Sequence, residues 1–284
     1  KILFIVPYPM GFAPSQRFRF EQYLQLLINH GWKYRLVPFW STRGYKTLYF
    51  KGRILLKLYF FLVGCLRRLM LLGKLWHYQV VFIHRESLPV GPPFIEWFIT
   101  KIFRKPIIYD FDDAIWLPNT SYQNRLAKLI KCHWKVNKIC TWSHTVSCGN
   151  LFLSEYASQY CRDVRIVPTT IDTSYHYPRS INPQNPKPVI GWTGTHSTAK
   201  YLGMIVPVLQ IIKSRIDCEI RIICNQPPDW DFNDYTFIEW TKEQEIPQLQ
   251  QFDIGLMPLE NTDWEKGKCG FKALQYMALG IPAV

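Results

Sequence analysis

Acidic residues are missing from a long stretch of this chain. Between Gln22 and Arg85 there is no Asp or Glu but eleven Lys and Arg, within a protein of net charge +13. The stretch also lacks a bilayer-spanning run, because the longest uncharged piece of Arg53–Trp76 is Leu58–Leu66 and a membrane helix needs about 20 residues. The pattern predicts instead a basic amphipathic helix, near residues 43–76, on an anionic membrane surface. An ordinary helix packed on a sheet would explain the leucines but not the missing acids.

Other features that the sequence lacks narrow the class of protein further. The eight cysteines form no Cys-x-x-Cys pair and have no His at zinc-ligand spacing, so the sequence predicts no metal site and free thiols in a reducing compartment. The opening strand Ile2–Val6 is too short for a signal peptide. No RNA-binding or helix-turn-helix signature accompanies the basic charge, so nucleic acid is not an expected partner. We therefore expect a cytoplasmic protein, peripheral at the inner face of the membrane.

The length of 284 residues predicts two domains, and no segment is repetitive or of low complexity. Four prolines between Pro178 and Pro188 disfavour regular structure, which places a linker at residues 179–188. The predicted domains are 1–178 and 189–284, the second incomplete. Short apolar runs alternate with helical patterns in both, which is typical of parallel α/β sheets. The predicted strands are Ile2–Val6, Tyr34–Val37, Val80–Ile83, Pro106–Tyr109, His144–Ser147, Val164–Val167, Val189–Trp192, Glu219–Cys224, Thr236–Glu239 and Ile254–Met257.

Helical periodicity occupies the connections between these strands. The predicted helices are Arg17–Asn29, Phe94–Phe103, Tyr122–Ile139, Leu151–Tyr160, Thr198–Ile216, Glu243–Gln251 and Phe271–Leu279.

Two loops of the second domain have the composition of a diphosphate site. Ligands of doubly wound sheets bind beyond the carboxyl ends of the strands. One loop, Gly191–Thr198, joins a strand to a helix start with two glycines and several hydroxyls, and its N–H groups suit a diphosphate. The other, Gly267–Lys272, offers a close backbone approach at Gly270 and lysines that can neutralise a departing nucleoside diphosphate. Ordinary Gly-rich turns and solvated lysines remain the alternative for both.

Three carboxylates follow a strand of the first domain, in Tyr109-Asp110-Phe111-Asp112-Asp113. Clustered acids raise one another's pKa and can serve as bases or metal ligands, although a hydrated turn would look the same. Asp-x-Asp after an apolar strand also suggests a Mg²⁺-dependent phosphotransferase of the haloacid dehalogenase type, with Asp110 as nucleophile. Ala114 stands where that pattern usually has Thr or Val, which weakens this alternative.

The ordered series of these motifs resembles the family 4 glycosyltransferases of the group 1 type, which have the GT-B fold. The residues that carry the resemblance are Ile107–Trp116, Val189–Gly194, Asp253–Leu259 and Lys268–Val284. The resemblance implies two Rossmann-like domains whose parallel sheets face across a cleft, with a donor nucleotide bound by the second domain and an acceptor by the first. It implies transfer without a required metal or cofactor, often with retention of configuration. Relatives usually continue past this point, so the chain is expected to be truncated.

The resemblance also implies roles for individual residues. Its catalytic histidine maps onto Asp112 or Asp113, and Gln275 stands in the place of the glutamate that binds the ribose. The other family glutamate is replaced by Gly267, with Glu260, Asp263 or Glu265 as open substitutes. Asn225 and Trp240 lie in the loops expected to bind ribose and base. The implied diphosphate ligands are Gly11, Gly191, Thr193, Gly194, Thr195, Lys200, Lys268, Cys269, Gly270, Phe271 and Lys272.

The sequence thus predicts a membrane-associated glycosyltransferase that moves a sugar from a UDP- or GDP-linked donor to a polysaccharide or lipid-linked acceptor. The phosphotransferase is one alternative. A non-catalytic nucleotide-sugar-binding protein is another, because both family glutamates are missing.

Overall fold

A computed structural model describes residues 1–48, 50, 52–118, 130–178 and 185–284. The chain divides into two compact units: Lys1–Thr169 with Lys266–Cys269, and Thr170–Glu265 with Gly270–Val284. The linker predicted at 179–188 lies partly outside the described residues, as does most of the helix predicted at Tyr122–Ile139.

The first unit contains a six-stranded parallel sheet of order β2-β1-β3-β4-β5-β6. Its middle strands are largely buried, as expected for a parallel sheet covered on both faces, and polar side chains enter β3 and β4 near their carboxyl ends. The strands are β1 Ile2–Val6, β2 Tyr34–Pro38, β3 Val80–His84, β4 Ile107–Phe111, β5 Thr145–Cys148 and β6 Val164–Ile166.

The second unit contains a four-stranded parallel sheet of order β10-β7-β8-β9. Val189–Gly194 (β7) and Glu219–Cys224 (β8) form its centre, beside Thr236–Glu239 (β9) and Ile254–Gly255 (β10). A last strand was expected before Val284, and the structure has an isolated parallel bridge there, between Gly255 and Ala283. The predicted α/β class with two parallel sheets is confirmed.

Helices fill the connections between strands. The α-helices are α1 Pro14–Arg19, α2 Leu24–Asn29, α3 Thr42–Leu48, α4 Ile54–Leu72, α5 Phe94–Trp97, α6 Lys135–Trp142, α7 Leu151–Ser158, α8 Ala199–Met204, α9 Val206–Arg215, α10 Glu245–Leu249, α11 Asp263–Lys266 and α12 Phe271–Ala278. Short 3₁₀ segments occur at Glu21–Tyr23, Leu75–His77 and His196–Thr198, and a π-helical turn at Phe98–Ile102 continues α5.

Two predicted helices are interrupted. The helix expected at Thr198–Ile216 breaks at Ile205, because Pro207 in the first turn of α9 has no N–H to donate to the preceding turn. The helix expected at Arg17–Asn29 is replaced by α1, a 3₁₀ turn and α2. We have no physical account of that second interruption, where Phe20 leaves helical backbone geometry.

Helix α4 is the longest helix among the described residues and corresponds to the predicted basic segment. No helix in the described part of the chain is long and apolar enough to cross a membrane. A basic helix on a membrane surface would direct its arginines outward, but Arg67 and Arg68 of α4 are directed toward the protein. Arg68 is fully buried and donates to the carbonyl oxygens of Val6, Val37 and Ser87 at 2.8–2.9 Å. Arg67 donates to the carbonyl oxygens of residues 38 and 39.

Candidate functional site

In the first unit, charged side chains meet at the carboxyl edge of the sheet. Asp110, near the end of β4, accepts hydrogen bonds from Arg19 and from Nδ1 of His84, which lies 2.8 Å from its Oδ2. Arg19 also donates to Ser147 Oγ at 3.1 Å and to the carbonyl oxygen of Val167. Adjacent parallel strands place these residues together because their carboxyl ends share one edge.

This network fixes the charge state of Asp110. Burial alone would raise the pKa of this carboxyl, but the hydrogen bond from His84 and the charge of Arg19 outweigh burial and hold the pKa well below its ordinary value. The carboxylate is therefore ionised and held by two donors on its two oxygens. A phosphotransferase nucleophile needs an oxygen that can reach a substrate, so this geometry argues against the dehalogenase-like reading of Asp110.

Asp112 and Asp113, the predicted catalytic residues, form a second ion-pair cluster beside the first. Arg85 donates to Asp112 Oδ1 at 2.9 Å and pairs with Asp113, which also lies 3.5 Å from Lys268 Nζ. Burial would raise the pKa of Asp112, but the charge of Arg85 lowers it. The predicted pair is thus brought together, with cations that the sequence reading did not assign to it.

The segment Lys266–Cys269 belongs to this edge of the first unit. Asn150 Nδ2 donates to the carbonyl oxygens of Lys266 and Lys268 at 3.0 and 3.1 Å. A Cβ on Gly267 would lie 2.7 Å from the backbone nitrogen of Ala114, so any larger residue there is blocked. This contact supplies a packing reason for glycine where the family pattern has a glutamate.

Cys269 has a similarly packed position. Its Sγ lies 3.3 Å from the carbonyl oxygen of Asp112, and a Cβ on Gly149 would approach it to 2.1 Å. Burial raises the pKa of Cys269 to about 12. The thiol is therefore protonated at neutral pH. Neither Lys268 nor Cys269 is grouped with the second unit, where the predicted diphosphate loop was expected.

Gly11 was predicted as a phosphate ligand from the first strand-to-helix loop. Its φ of +84° is one that glycine adopts without strain. Its N–H already donates to Glu21 Oε2 at 2.8 Å, and Gln16 donates to the other oxygen of Glu21. In this structure the amide is thus satisfied within the loop.

In the second unit, the loop after β7 begins later than predicted. Gly191 lies inside β7, where a Cβ would come within 2.2 Å of the ring of Phe252. This packing is sufficient to explain a glycine at position 191, and its role as a backbone ligand of the diphosphate stays a prediction. The N–H of Thr193 donates to the hydroxyl of Tyr276 at 3.1 Å, so this amide is satisfied within the unit.

Internal hydrogen bonds shape the rest of this loop. Thr195 and Thr198 form a reciprocal capping box at the start of the 3₁₀ turn. The N–H of His196 donates to Oδ1 of Asn225 at 2.8 Å. Asn225, predicted to bind ribose or base, thus holds the loop after β7. Gly194 is required there because a Cβ would lie 2.7 Å from Thr198 Oγ1.

Helix α12 begins beside this loop. Gly270 caps the helix with a φ of +65°, and Phe271 is its first residue. Lys272 Nζ lies 5.5 Å from the ring centroid of Trp192, the buried residue that precedes the loop. The structure therefore places Lys272 beside the end of β7. Lys200, exposed on α8, lies 4.7 Å from the ring centroid of Tyr201.

The remaining predicted ligands of the second unit have protein partners. Gln275 is buried, with its Nε2 3.3 Å from Nε2 of His176. Trp240 is half-buried and donates through Nε1 to Glu245 at 3.3 Å. Of the open substitutes for the missing glutamate, Glu265 is buried and accepts from the hydroxyls of Tyr201 and Thr262, which outweigh burial and lower its pKa.

Metal ligands were not predicted. Within the described residues, no group of three or more His, Cys, Asp or Glu is placed to hold a metal ion.

The comparisons with known proteins show the fold. No protein-family model matches the sequence, and no curated protein sequence matches it. Solved structures do match over almost the whole chain, at low identity. A sucrose-phosphate synthase from Thermosynechococcus elongatus has a TM-score of 0.68 at 11% identity, with 100% of this chain and 80% of that chain covered. A glycosyltransferase from Rickettsia africae has a TM-score of 0.63 at 12% identity, with 99% and 78% covered.

A third match has a different activity in its name. It is a UDP-N-acetylglucosamine 2-epimerase from Rickettsia bellii, with a TM-score of 0.56 at 10% identity and coverage of 99% and 77%. The chain has the GT-B fold of two Rossmann-like domains. At these identities the likeness concerns fold.

Four residues of these sites were missed by the sequence reading: Arg19, His84, Arg85 and Tyr276. His84 and Arg85 directly follow the predicted strand Val80–Ile83, so a search of the residues after each strand could have found them. Arg19 and Tyr276 lie within helical patterns, where nothing in the local sequence distinguishes a functional side chain from a packed one.

Proposed function

We propose that the protein is a glycosyltransferase that uses a UDP- or GDP-linked sugar as donor and a polysaccharide or lipid-linked acceptor in polysaccharide biosynthesis. The observation that carries the proposal is the joining of the β7 loop to helix α12 in a GT-B fold, with Lys272 beside Trp192 and Tyr276 bonded to Thr193. Fold neighbours named as a glycosyltransferase and as a UDP-sugar epimerase support a nucleotide-sugar ligand.

In the proposed reaction, the bond between the anomeric carbon and the diphosphate oxygen breaks, an acceptor hydroxyl oxygen forms the new bond to that carbon, and the hydroxyl proton passes to the leaving diphosphate. The leaving diphosphate takes up negative charge, which Lys272 and Lys200 are proposed to neutralise. Thr195, Gly270 and Phe271 would line the same phosphate site. No metal or cofactor is proposed to be required, and configuration at the anomeric carbon would be retained.

Asp112 and Asp113 are proposed to act on the developing positive charge of the sugar ring. Arg85 lowers the pKa of Asp112, so this carboxylate is ionised at neutral pH and is a weak proton acceptor. A carboxylate in that state stabilises a cation better than it removes a proton. The ribose and base pocket is proposed to include Gln275, Asn225 and Trp240. Because their polar groups already have protein partners, we propose that they support the pocket wall.

The proposed site of action is cytoplasmic, peripheral at the inner face of the membrane, through the region near residues 43–76. An anionic surface there would hold the enzyme at its acceptor.

The test is incubation of the protein with UDP-, GDP- and ADP-sugars in the presence of EDTA, with mass spectrometry of the nucleotide and sugar products. Release of a nucleoside diphosphate that depends on Asp112 supports glycosyl transfer or its hydrolytic half. A product with an inverted sugar centre would instead indicate an epimerase, an activity found in this fold. Binding without turnover would indicate a non-catalytic nucleotide-sugar binder.

A further inference from the structure

Helix α4 has an exposed apolar face as well as a buried one. Eight apolar side chains along the helix are at least half exposed, at positions that repeat every three or four residues and so form one stripe. They are Ile54, Leu55, Leu58, Tyr59, Leu62, Leu66, Leu69 and Met70. A soluble surface helix normally shows polar residues on this side, so the stripe marks a surface that binds something.

The arginines make this face more apolar than the sequence implied. Arg67 and Arg68 turn toward the sheet, where they donate to backbone carbonyl oxygens. The other basic residues lie near the ends of the helix, at Arg53, Lys57 and Lys74. The stripe is therefore an apolar strip with cations at its ends.

A second helical segment extends the surface. The Ser87 carbonyl accepts from Arg68 of α4, and the Ser87 N–H donates to Glu96 of α5, which ties the two helices together. The outer side of the segment Phe94–Ile102 is again mostly apolar. Its exposed apolar side chains are Phe94, Trp97, Phe98 and Ile102, beside the exposed Lys101, and Trp76 after α4 is also exposed.

Both helices lie on one face of the six-stranded sheet. The connections β2 to β3 and β3 to β4 cross the sheet in the same direction, and right-handed crossovers place their helices on the same face. The connection β1 to β2 runs in the opposite direction, so α2 lies on the other face. The two apolar sets are thus one continuous surface of the first unit.

The charges around this surface are of one sign. Lys101, Arg104 and Lys105 flank Trp76 and the second segment, and Lys105 Nζ lies 5.9 Å from the Trp76 ring. Glu96, the one acid of Phe94–Ile102, is buried against Ser87. Two copies joined through this surface would bring cations against cations, whereas anionic lipid supplies both apolar chains and negative headgroups.

We propose that α4 and the segment Phe94–Ile102 insert their apolar side chains into the interfacial region of an anionic bilayer, and that the acceptor is borne by that bilayer. The identity of the acceptor rests on the proposed function, but the lipid contact does not. Insertion differs from the adsorption of a basic helix because most of its free energy comes from apolar burial, which salt does not screen.

The experiment is flotation of the full chain with vesicles of phosphatidylglycerol and phosphatidylcholine, without donor, at low and high salt. We expect binding to anionic vesicles that persists in part at 0.5 M NaCl, about the ionic strength where surface charge interactions are screened. The variant Leu62→Glu/Leu66→Glu should lower the partition coefficient at least roughly tenfold. The matched control Leu26→Glu changes a leucine of similar exposure on α2, the opposite face, and should bind as wild type.

Three results would overturn the inference. They are wild-type-like binding by Leu62→Glu/Leu66→Glu with unchanged circular dichroism, equal loss in Leu26→Glu, or complete release by salt. Sedimentation without lipid gives a further test: a dimer that Leu66→Glu dissociates would assign the surface to a second copy. Because no nucleotide sugar is present, failure here leaves the donor assay of the proposed function unaffected.

Discussion

The carboxyl edges of the two sheets are built from different chemistry. In the first unit, the edge is occupied by carboxylates that arginines already neutralise: Asp110 by Arg19, and Asp112 with Asp113 by Arg85. In the second unit, neutral hydroxyls and amides hold the edge together, through Tyr276, Thr198 and Asn225. The same edge is therefore held by ion pairs in the first unit and by hydrogen bonds between neutral groups in the second.

This difference separates stability from ligand binding. When one partner of a buried ion pair is removed, the protein loses folding free energy, because the other charge is left buried and uncompensated. An edge held by neutral groups can receive a doubly charged diphosphate without displacing an internal anion. We therefore expect substitution of Asp110, in the buried part of the first unit's edge, to act on folding, and substitutions of lysines in the second to act on nucleotide affinity.

The largest effect is expected from Asp110→Asn. The substitution removes the carboxylate that faces Arg19, whose side chain is 1% exposed, and should lower the free energy of unfolding by about 3–5 kcal/mol. Urea unfolding measures this loss. Asp163→Asn is the control, because its pair with Arg165 is exposed, and it should unfold as wild type. A stability of Asp110→Asn equal to wild type would show that the network is not structural.

The pH dependence should follow the same carboxyl. The folded-state pKa of Asp110 is lowered, so its contribution is fully present above the unfolded pKa of about 4 and is lost as pH falls through the folded value. The stability difference between wild type and Asp110→Asn should therefore shrink when unfolding is measured from pH 6 down to pH 3. A difference that grows toward low pH would contradict the assigned charge state.

A smaller effect is expected from Gly191→Ala in the second unit. The new methyl group would overlap the ring of Phe252 and should lower the free energy of unfolding by on the order of 3 kcal/mol. Gly203→Ala is the matched control, since its nearest neighbour would be 3.3 Å away on a helix that favours alanine. Similar unfolding curves for the two variants would argue against the tight packing of β7.

Tyr276→Phe tests the neutral edge itself. It leaves the Thr193 N–H buried without its acceptor and should cost about 1 kcal/mol in unfolding free energy. Donor affinity should fall as well, because the loop after β7 loses its link to α12. Met277→Leu, at an exposed neighbour on the same helix, should change neither quantity. Full donor affinity in Tyr276→Phe would remove this hydroxyl from the proposed site.

Strand positions could be predicted from sequence more fully than sites. The apolar run Ile2–Val6 is buried in a parallel strand, and the polar and apolar residues of Glu219–Cys224 alternate at its start, so the local sequence is enough to locate both strands. The pairing of Asp110 with Arg19 could not be predicted, because the two residues are 91 positions apart in the sequence and only the fold brings them together. The packing of Gly191 against the ring of Phe252 could not be predicted for a related reason, because a glycine beside a loop motif has the same sequence signal whether a phosphate or an aromatic ring needs the space.

The central claim is that the second unit binds a nucleoside diphosphate at the β7 loop and α12. Isothermal titration of UDP, GDP and ADP into wild type, Lys272→Met and Lys213→Met in EDTA tests it most directly. Lys213 lies on α9 and pairs with Asp234, so it is the matched lysine outside the site. We expect one nucleotide to bind, with affinity reduced roughly tenfold or more in Lys272→Met, as for loss of a charge-assisted hydrogen bond, and unchanged in Lys213→Met. Absence of binding by all three nucleotides, or equal affinity in Lys272→Met and wild type, would contradict the account.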